Sequence, residues 1–164
     1  MPDVSDDARV VAVQRLYDAL AAGDRAGIDA LLHQDFVGHA AEGLPLNMGG
    51  RHAGGAEAMC ANLWWQIGRH FTARAIPSDF QVLGDGRLMV IGRYVGAARR
   101  TGHQLDAEFI HLVEFAADGR ISTLHQLTDT AAWHAALDAP AALETIDYHV
   151  DAGAGHAVPQ PPPR

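Results

Sequence analysis

The apolar residues change their period once along the chain, and that change limits the fold more than any other feature. Up to about residue 71 they recur at helical spacing, and from about residue 79 to 128 they alternate in steps of two. Val10, Val13, Tyr17 and Leu20 form a first helical stripe, with Ser5 or Asp6 as its cap and Gly23 as its stop. A second, shorter helix can be capped by Asp24 and carries Ile28, Leu31 and Leu32. Residues 36–39 read as a short extended piece and residues 41–54 as a Gly-rich loop. A third helix, from about 55 to 70, carries Met59, Cys60, Leu63, Trp64 and Ile67, with Phe71 just beyond it. Strands are expected over 79–83, 87–98, 103–115 and 120–128. Asp85-Gly86 and Asp118-Gly119 are hairpin signals, and Arg100-Thr101-Gly102 is a looser turn. A last helix starts at Asp129 or Thr130 and carries Trp133 and Leu137. Helices followed by an antiparallel meander imply an α+β fold, with N-terminal helices packed in a curved antiparallel sheet.

Composition narrows the class of partner. With 164 residues, 48% of them hydrophobic, the chain suits one domain over residues 1–150. Residues 151–164, ending Pro-Gln-Pro-Pro-Pro-Arg, are too rich in Gly and Pro to pack and are expected to be a disordered tail. Twelve Lys and Arg against twenty Asp and Glu leave a net charge of -8, which argues against nucleic acid and anionic membranes as partners. No apolar run approaches the ~18–20 residues of a membrane span. The acidic, polar start does not read as a signal peptide, so a cytoplasmic location is the expectation. Cys60 is the single cysteine, which excludes a disulfide framework and a multi-Cys zinc site.

Hairpin register assigns residues to faces. Placing Ala98 opposite His103 sets Arg93 opposite Glu108 and Tyr94 opposite Ala107. Placing Ala117 opposite Arg120 sets His111 opposite Gln126 and Val113 opposite Leu124. One face then carries Tyr94, Phe109, His111, Val113, Phe115, Leu124 and Gln126. The other carries Met89, Ile91, Arg93, Glu108, Ile110, Leu112, Thr123 and His125. Both faces have apolar centres. One can cover the helices, and the other predicts a homodimer through the outer sheet face.

Three stretches carry a family resemblance: Leu16 to Asp24 running into Leu31 to His39, Gly92-Arg-Tyr-Val-Gly96 before Thr101-Gly102, and His111-Leu-Val-Glu-Phe before Asp118-Gly-Arg-Ile121 and Thr128-Asp-Thr-Ala131. In order and spacing they resemble the NTF2-like superfamily, and within it the SnoaL-like, ketosteroid-isomerase-related proteins. The resemblance spans about residues 8–137 and implies a cone-shaped α+β barrel. The fold serves isomerases, cyclases, hydrolases, dehydratases and non-catalytic binders, so it does not name an activity. By the same resemblance, the carboxylate base of ketosteroid isomerases falls on His39 and their oxyanion-side acid on His111. Tyr94 matches an aromatic pocket position. The oxyanion tyrosine falls on Leu16, with Tyr17 turned away. Many SnoaL-like cyclases place an Asp where this chain has Gln126. The Asp-Arg-Asp set of limonene-epoxide hydrolases is met only by Arg93, with Val95 and Gln126 at the Asp positions.

The resulting expectation is a small-molecule pocket with His39 and His111 as catalytic acid and base, and with Trp64, Tyr94, Phe109, Leu124 and Gln126 binding the ligand. A neutral His39 would take a proton beside a carbonyl while His111 donates to the developing enolate oxygen. No cofactor is needed for such chemistry. The bland alternatives are a core His111 bonded to Gln126 and a solvated His39 at a strand end. His52 and Glu42 read as loop residues, and Trp65, next to Trp64, as a further aromatic that can stack on a flat ligand. A metal held by His39, His111 and Glu42 lacks any supporting motif, so no metal site is expected. Two functions remain open. One is a cofactor-independent isomerase, cyclase or lyase acting on a carbonyl-containing or polyketide-like molecule, and the other is a non-catalytic small-molecule binder.

Overall fold

A computed structural model describes residues 7–138. The expected 151–164 tail, the Ser5 and Asp6 caps and the end of the expected domain lie outside the described residues. The first helix, α1 (Ala8–Ala22), is capped by Asp7, whose carboxylate accepts from Arg9 N and pairs with the Arg9 guanidinium at 2.7 Å. Gly23 ends it at φ 65°, a left-handed conformation that only a residue without Cβ adopts freely. Val10, Val13, Leu16 and Tyr17 are all buried. Asp24 caps α2 (Arg25–Leu31) by accepting from Gly27 N.

Six strands form one mixed sheet in the order β2-β1-β6-β5-β4-β3. They are β1 (Leu32–Ala40), β2 (Gly50–Ala53), β3 (Arg74–Val82), β4 (Leu88–Ala97), β5 (Gln104–Phe115) and β6 (Ile121–Thr128). The hairpin registers are those expected from the turns: Arg93 faces Glu108, Tyr94 faces Ala107, His111 faces Gln126 and Val113 faces Leu124. The α+β architecture with helices against a curved sheet is likewise as expected.

The differences lie in β1, β2, the start of β3 and the third helix. β1 extends well before the expected 36–39 and runs parallel to β6. A parallel pair needs a long connection, and nearly the whole domain separates these two strands. Residues 50–53, expected as loop, are β2, paired antiparallel to β1. β3 begins at Arg74 rather than at 79 and shifts register between Pro77 and Asp79, which an edge strand tolerates. The third helix is α3 (Gly55–Met59), a π turn over Cys60–Trp64 and α4 (Trp65–His70). The wider turn rotates α4 relative to a continuous α-helix, and Trp65, Ile67 and Gly68 line the same cavity as Leu63 and Trp64. α5 (Thr130–Leu137) starts from its Asp129 cap and buries Trp133 against Phe71 and Tyr94, with ring centroids 5.0 and 5.1 Å apart. Among the described residues no helix is long and apolar enough to cross a membrane.

The core lies between the inner sheet face and the helices. On the outer face Ile91 and Ile110 are each 37% exposed and Leu127 47%. Gly92 sits where Phe109 crosses the neighbouring strand. A Cβ there would lie 2.5 Å from the Ile76 carbonyl oxygen and 2.6 Å from Phe109 Cζ. Gly92→Ala should therefore destabilise the fold by about 1–3 kcal/mol through overpacking. Urea unfolding checks this, and unchanged stability would mean that the Phe109 ring does not hold this position.

Candidate functional site

Side-chain alternation along β4, β5 and β6 turns Tyr94, Phe109, His111, Leu124 and Gln126 toward the helices. There they meet α1 and the interrupted third helix around a cavity of about 320 Å³. That volume is at the small end for ligand pockets. Leu63, Trp64, Trp65 and Ile67 form its apolar side, Leu20 to Gly23 and 73–75 its rim, and Tyr17, Tyr94, His111 and Gln126 its polar end. Among the described residues no Asp or Glu lines it, and Arg74 is the one strongly basic residue in the lining.

The polar end is a single hydrogen-bonded chain. Tyr17 Oη lies 2.8 Å from His111 Nδ1, and Tyr94 Oη lies 2.7 Å from His111 Nε2. Gln126 Nε2 donates to Tyr94 Oη at 2.5 Å. Polarity sets the remaining hydrogens. Tyr94, which accepts from Gln126, donates its proton to His111 Nε2. The neutral imidazole then carries its hydrogen on Nδ1 and donates to Tyr17. The Tyr17 hydroxyl proton is left for the cavity.

Burial decides the charge state. With no charged partner nearby among the described residues, desolvation holds the His111 imidazole down to about 3, so it is neutral near pH 7. Burial likewise pushes the Tyr94 hydroxyl above its ordinary range, and Tyr17 follows for the same reason, reinforced by Tyr94. Phe109 stacks on the His111 ring at 4.1 Å and is buried behind it. It therefore supports the imidazole and does not line the cavity, which corrects its expected place among the ligand-binding residues.

His39 corrects the expected pair. Leu32, Phe36, Gly38 and Ala40 are the buried positions of β1, so His39 points to the opposite side of the sheet. It is in register with His125, their rings 5.5 Å apart, in a shallow outer depression with Arg87, Leu112, Glu114 and Thr123. The two imidazoles therefore do not share a void. Tyr17 is the converse correction: it faces the cavity instead of turning away. Its place on the Val10, Val13, Tyr17, Leu20 stripe already carried that signal. Trp64, Tyr94, Leu124 and Gln126 are in the wall. His52 is buried and bonded through Nε2 to the Met48 carbonyl. Among the described residues no three His, Cys, Asp or Glu side chains are grouped to hold a metal ion.

Residues 13–124 match the SnoaL-like domain family. The chain belongs to that family. Among solved structures this SnoaL-like protein is similar to an NTF2-like protein of unknown function from Burkholderia pseudomallei, at 25% identity and a TM-score of 0.71, with 81% of this chain and 99% of that one covered. It is also similar to TerC co-crystallised with polyporic acid, at 23% identity and TM-score 0.68, covering 79% and 98%. A third is IdmH, a candidate polyketide cyclase from Streptomyces antibioticus, at 19% and 0.66, covering 79% and 97%. Likeness at such identities to TerC and IdmH shows the fold, not the reaction. No curated protein sequence matches the chain.

The buried imidazole makes stability depend on pH. The unfolded His111 takes up a proton near its ordinary value of 6.5 and the folded one only near 3, so falling pH favours the unfolded chain. Between pH 7 and pH 4.5 the wild type should lose about 2–3 kcal/mol more stability than His111→Gln. Parallel urea denaturation of the two at both pH values measures the difference. Equal losses would show that His111 is not held neutral.

Proposed function

We propose that the protein binds a small, mostly apolar carbonyl compound, with the carbonyl oxygen accepting the Tyr17 hydroxyl proton at the polar end of the cavity. One observation carries this reading: the chain from Gln126 through Tyr94 and His111 ends on Tyr17, whose proton has no other acceptor among the described residues. The aromatic and aliphatic wall suits a flat carbon skeleton. That TerC was co-crystallised with polyporic acid, and that IdmH is a candidate polyketide cyclase, supports a ligand of this kind without identifying it.

Binding stands ahead of catalysis because the wall lacks a base. His111 is neutral with a depressed pKa, His39 lies on the other side of the sheet, and no carboxylate among the described residues lines the cavity. Isomerase, cyclase or lyase chemistry keeps one specific support, since a Tyr17 hydroxyl polarised by the relay is suited to hold an enolate oxygen. Calorimetry with 1-tetralone, a bicyclic aryl ketone, tests the binding. Tyr17→Phe should weaken it by about 5–10-fold, the worth of one hydrogen bond in a dry site. No binding to the wild type would sink the reading. Exchange of the C2 hydrogens of 1-tetralone in D2O, followed by NMR, tests catalysis, and acceleration by the protein would move the enzyme reading to first place.

We also propose that two copies associate through the outer sheet face. Ile76, Ile91, Val95, Ile110 and Leu127 are all exposed there, beside the Arg93 pairs with Asp106 and Glu108. Such a stripe on a lone chain is an unpartnered apolar surface. Light scattering at micromolar concentration should report a dimer, and Ile110→Glu should give a folded monomer, because an unpaired charge resists burial. A monomeric wild type would remove the proposal.

A further inference from the structure

The Gln126 side chain is satisfied on one side only. Its Nε2 donates to Tyr94 Oη, but its Oε1 is buried and has no partner among the described residues. Gln126 is 2% exposed and belongs to the cavity wall. A buried carbonyl oxygen without a donor is costly, and in folded proteins such groups find a partner in a ligand or an ordered water. Orienting Tyr94 does not require the bare oxygen, and an apolar side chain of similar length would fill the same volume. No side chain of the wall donates to this oxygen among the described residues, and the Tyr94 proton is already committed to His111. The polar end therefore presents two complementary groups, the Tyr17 hydroxyl as a donor and Gln126 Oε1 as an acceptor.

We infer that the ligand carries a hydrogen-bond donor, a phenolic or enolic hydroxyl, in addition to its carbonyl, and that Gln126 selects for that donor. The inference rests on the proposed binding of a carbonyl compound at Tyr17 and adds the second half of the head group. A ligand with both groups completes every open valence of the relay at once: its carbonyl takes the Tyr17 proton and its hydroxyl gives one to Gln126. A ligand with the carbonyl alone leaves Gln126 bare and displaces any water that could have covered it. The site should therefore discriminate strongly against a capped hydroxyl, because a group built to accept a hydrogen bond rejects an analogue that cannot donate one.

The test uses 1-tetralone, 6-hydroxy-1-tetralone and 7-hydroxy-1-tetralone, with the methyl ethers of the two phenols. Their skeleton is common, and at pH 6.5 the hydroxyls are un-ionised. Calorimetry on the full chain should show at least one phenol binding tenfold or more tightly than both its methyl ether and 1-tetralone. Gln126→Met should abolish that preference, bringing each phenol and its methyl ether to within about twofold of one another whatever the absolute affinity. Gln126→Leu, checked by circular dichroism, serves if the first variant misfolds, and the wild-type comparison needs neither. Equal affinities of phenols and ethers for the wild type would overturn the inference and assign the Gln126 oxygen to a water. A preference that survives in the Gln126 variants would overturn the role of Gln126. If none of the ketones binds, the carbonyl-binding reading itself has failed, which is a different result from binding without discrimination.

Discussion

A histidine placed in the middle of an apolar face must have both ring nitrogens satisfied, and the rest of the site depends on how His111 meets that demand. Its register on β5 points the ring inward between Val90, Phe109 and the helices, away from water. Two tyrosines from distant parts of the chain supply the partners, Tyr17 from α1 and Tyr94 from the adjoining strand. Each tyrosine is in turn fixed by packing: Tyr94 against Phe109 and Trp133, and Tyr17 edge-on to Phe109 and His111. α1, the sheet and α5 are thus tied to one imidazole. A neutral chain of hydrogen bonds is the form such a network takes when no countercharge is at hand to compensate burial.

That neutrality shapes the chemistry. A carboxylate at the Gln126 position, as many SnoaL-like cyclases have, would bring a base into the cavity and change the charge of the imidazole beside it. With an amide there, the chain has donors and acceptors but no group that takes a proton readily near neutral pH. In the proposed reading the cavity holds and polarises a carbonyl, with matching hydrogen bonds at one end and aromatic surface at the other. Family membership fits either a binder or an enzyme, so the residues in the wall, and not the fold, decide between them.

The sheet separates two kinds of surface by the thickness of one strand. Gln126 and His125 are neighbours in sequence, yet one is buried in the cavity wall and the other lies outside with His39. The same alternation puts Phe109 beneath the imidazole and Ile110 on the exposed apolar stripe. Changes on one side of the pleat therefore leave the chemistry on the other largely alone, and a dimer through the outer face would not close the cavity.

Local signals determined a good deal. Period, Asp caps at 24 and 129 and the two Asp-Gly turns set the helices, the meander and the register that brings His111 opposite Gln126, because each rests on residues only a few positions apart. The inward set of Tyr94, Leu124 and Gln126 came from that register. Tertiary structure alone decided the parallel pairing of β1 with β6 and the β2 edge, since no tight turn joins those segments, and it carried β3 past Pro77 to Arg74 through a register shift that the Asp85-Gly86 turn does not announce. His39 was misplaced for a related reason: family position suggested the pocket, while the alternation of Phe36, Gly38 and Ala40 turned its side chain outward. The Tyr17–His111–Tyr94 relay joins three segments whose distances are set only when the helices dock on the sheet. Sequence spacing shows which faces exist, but not which atoms on two faces come within about 3 Å of each other.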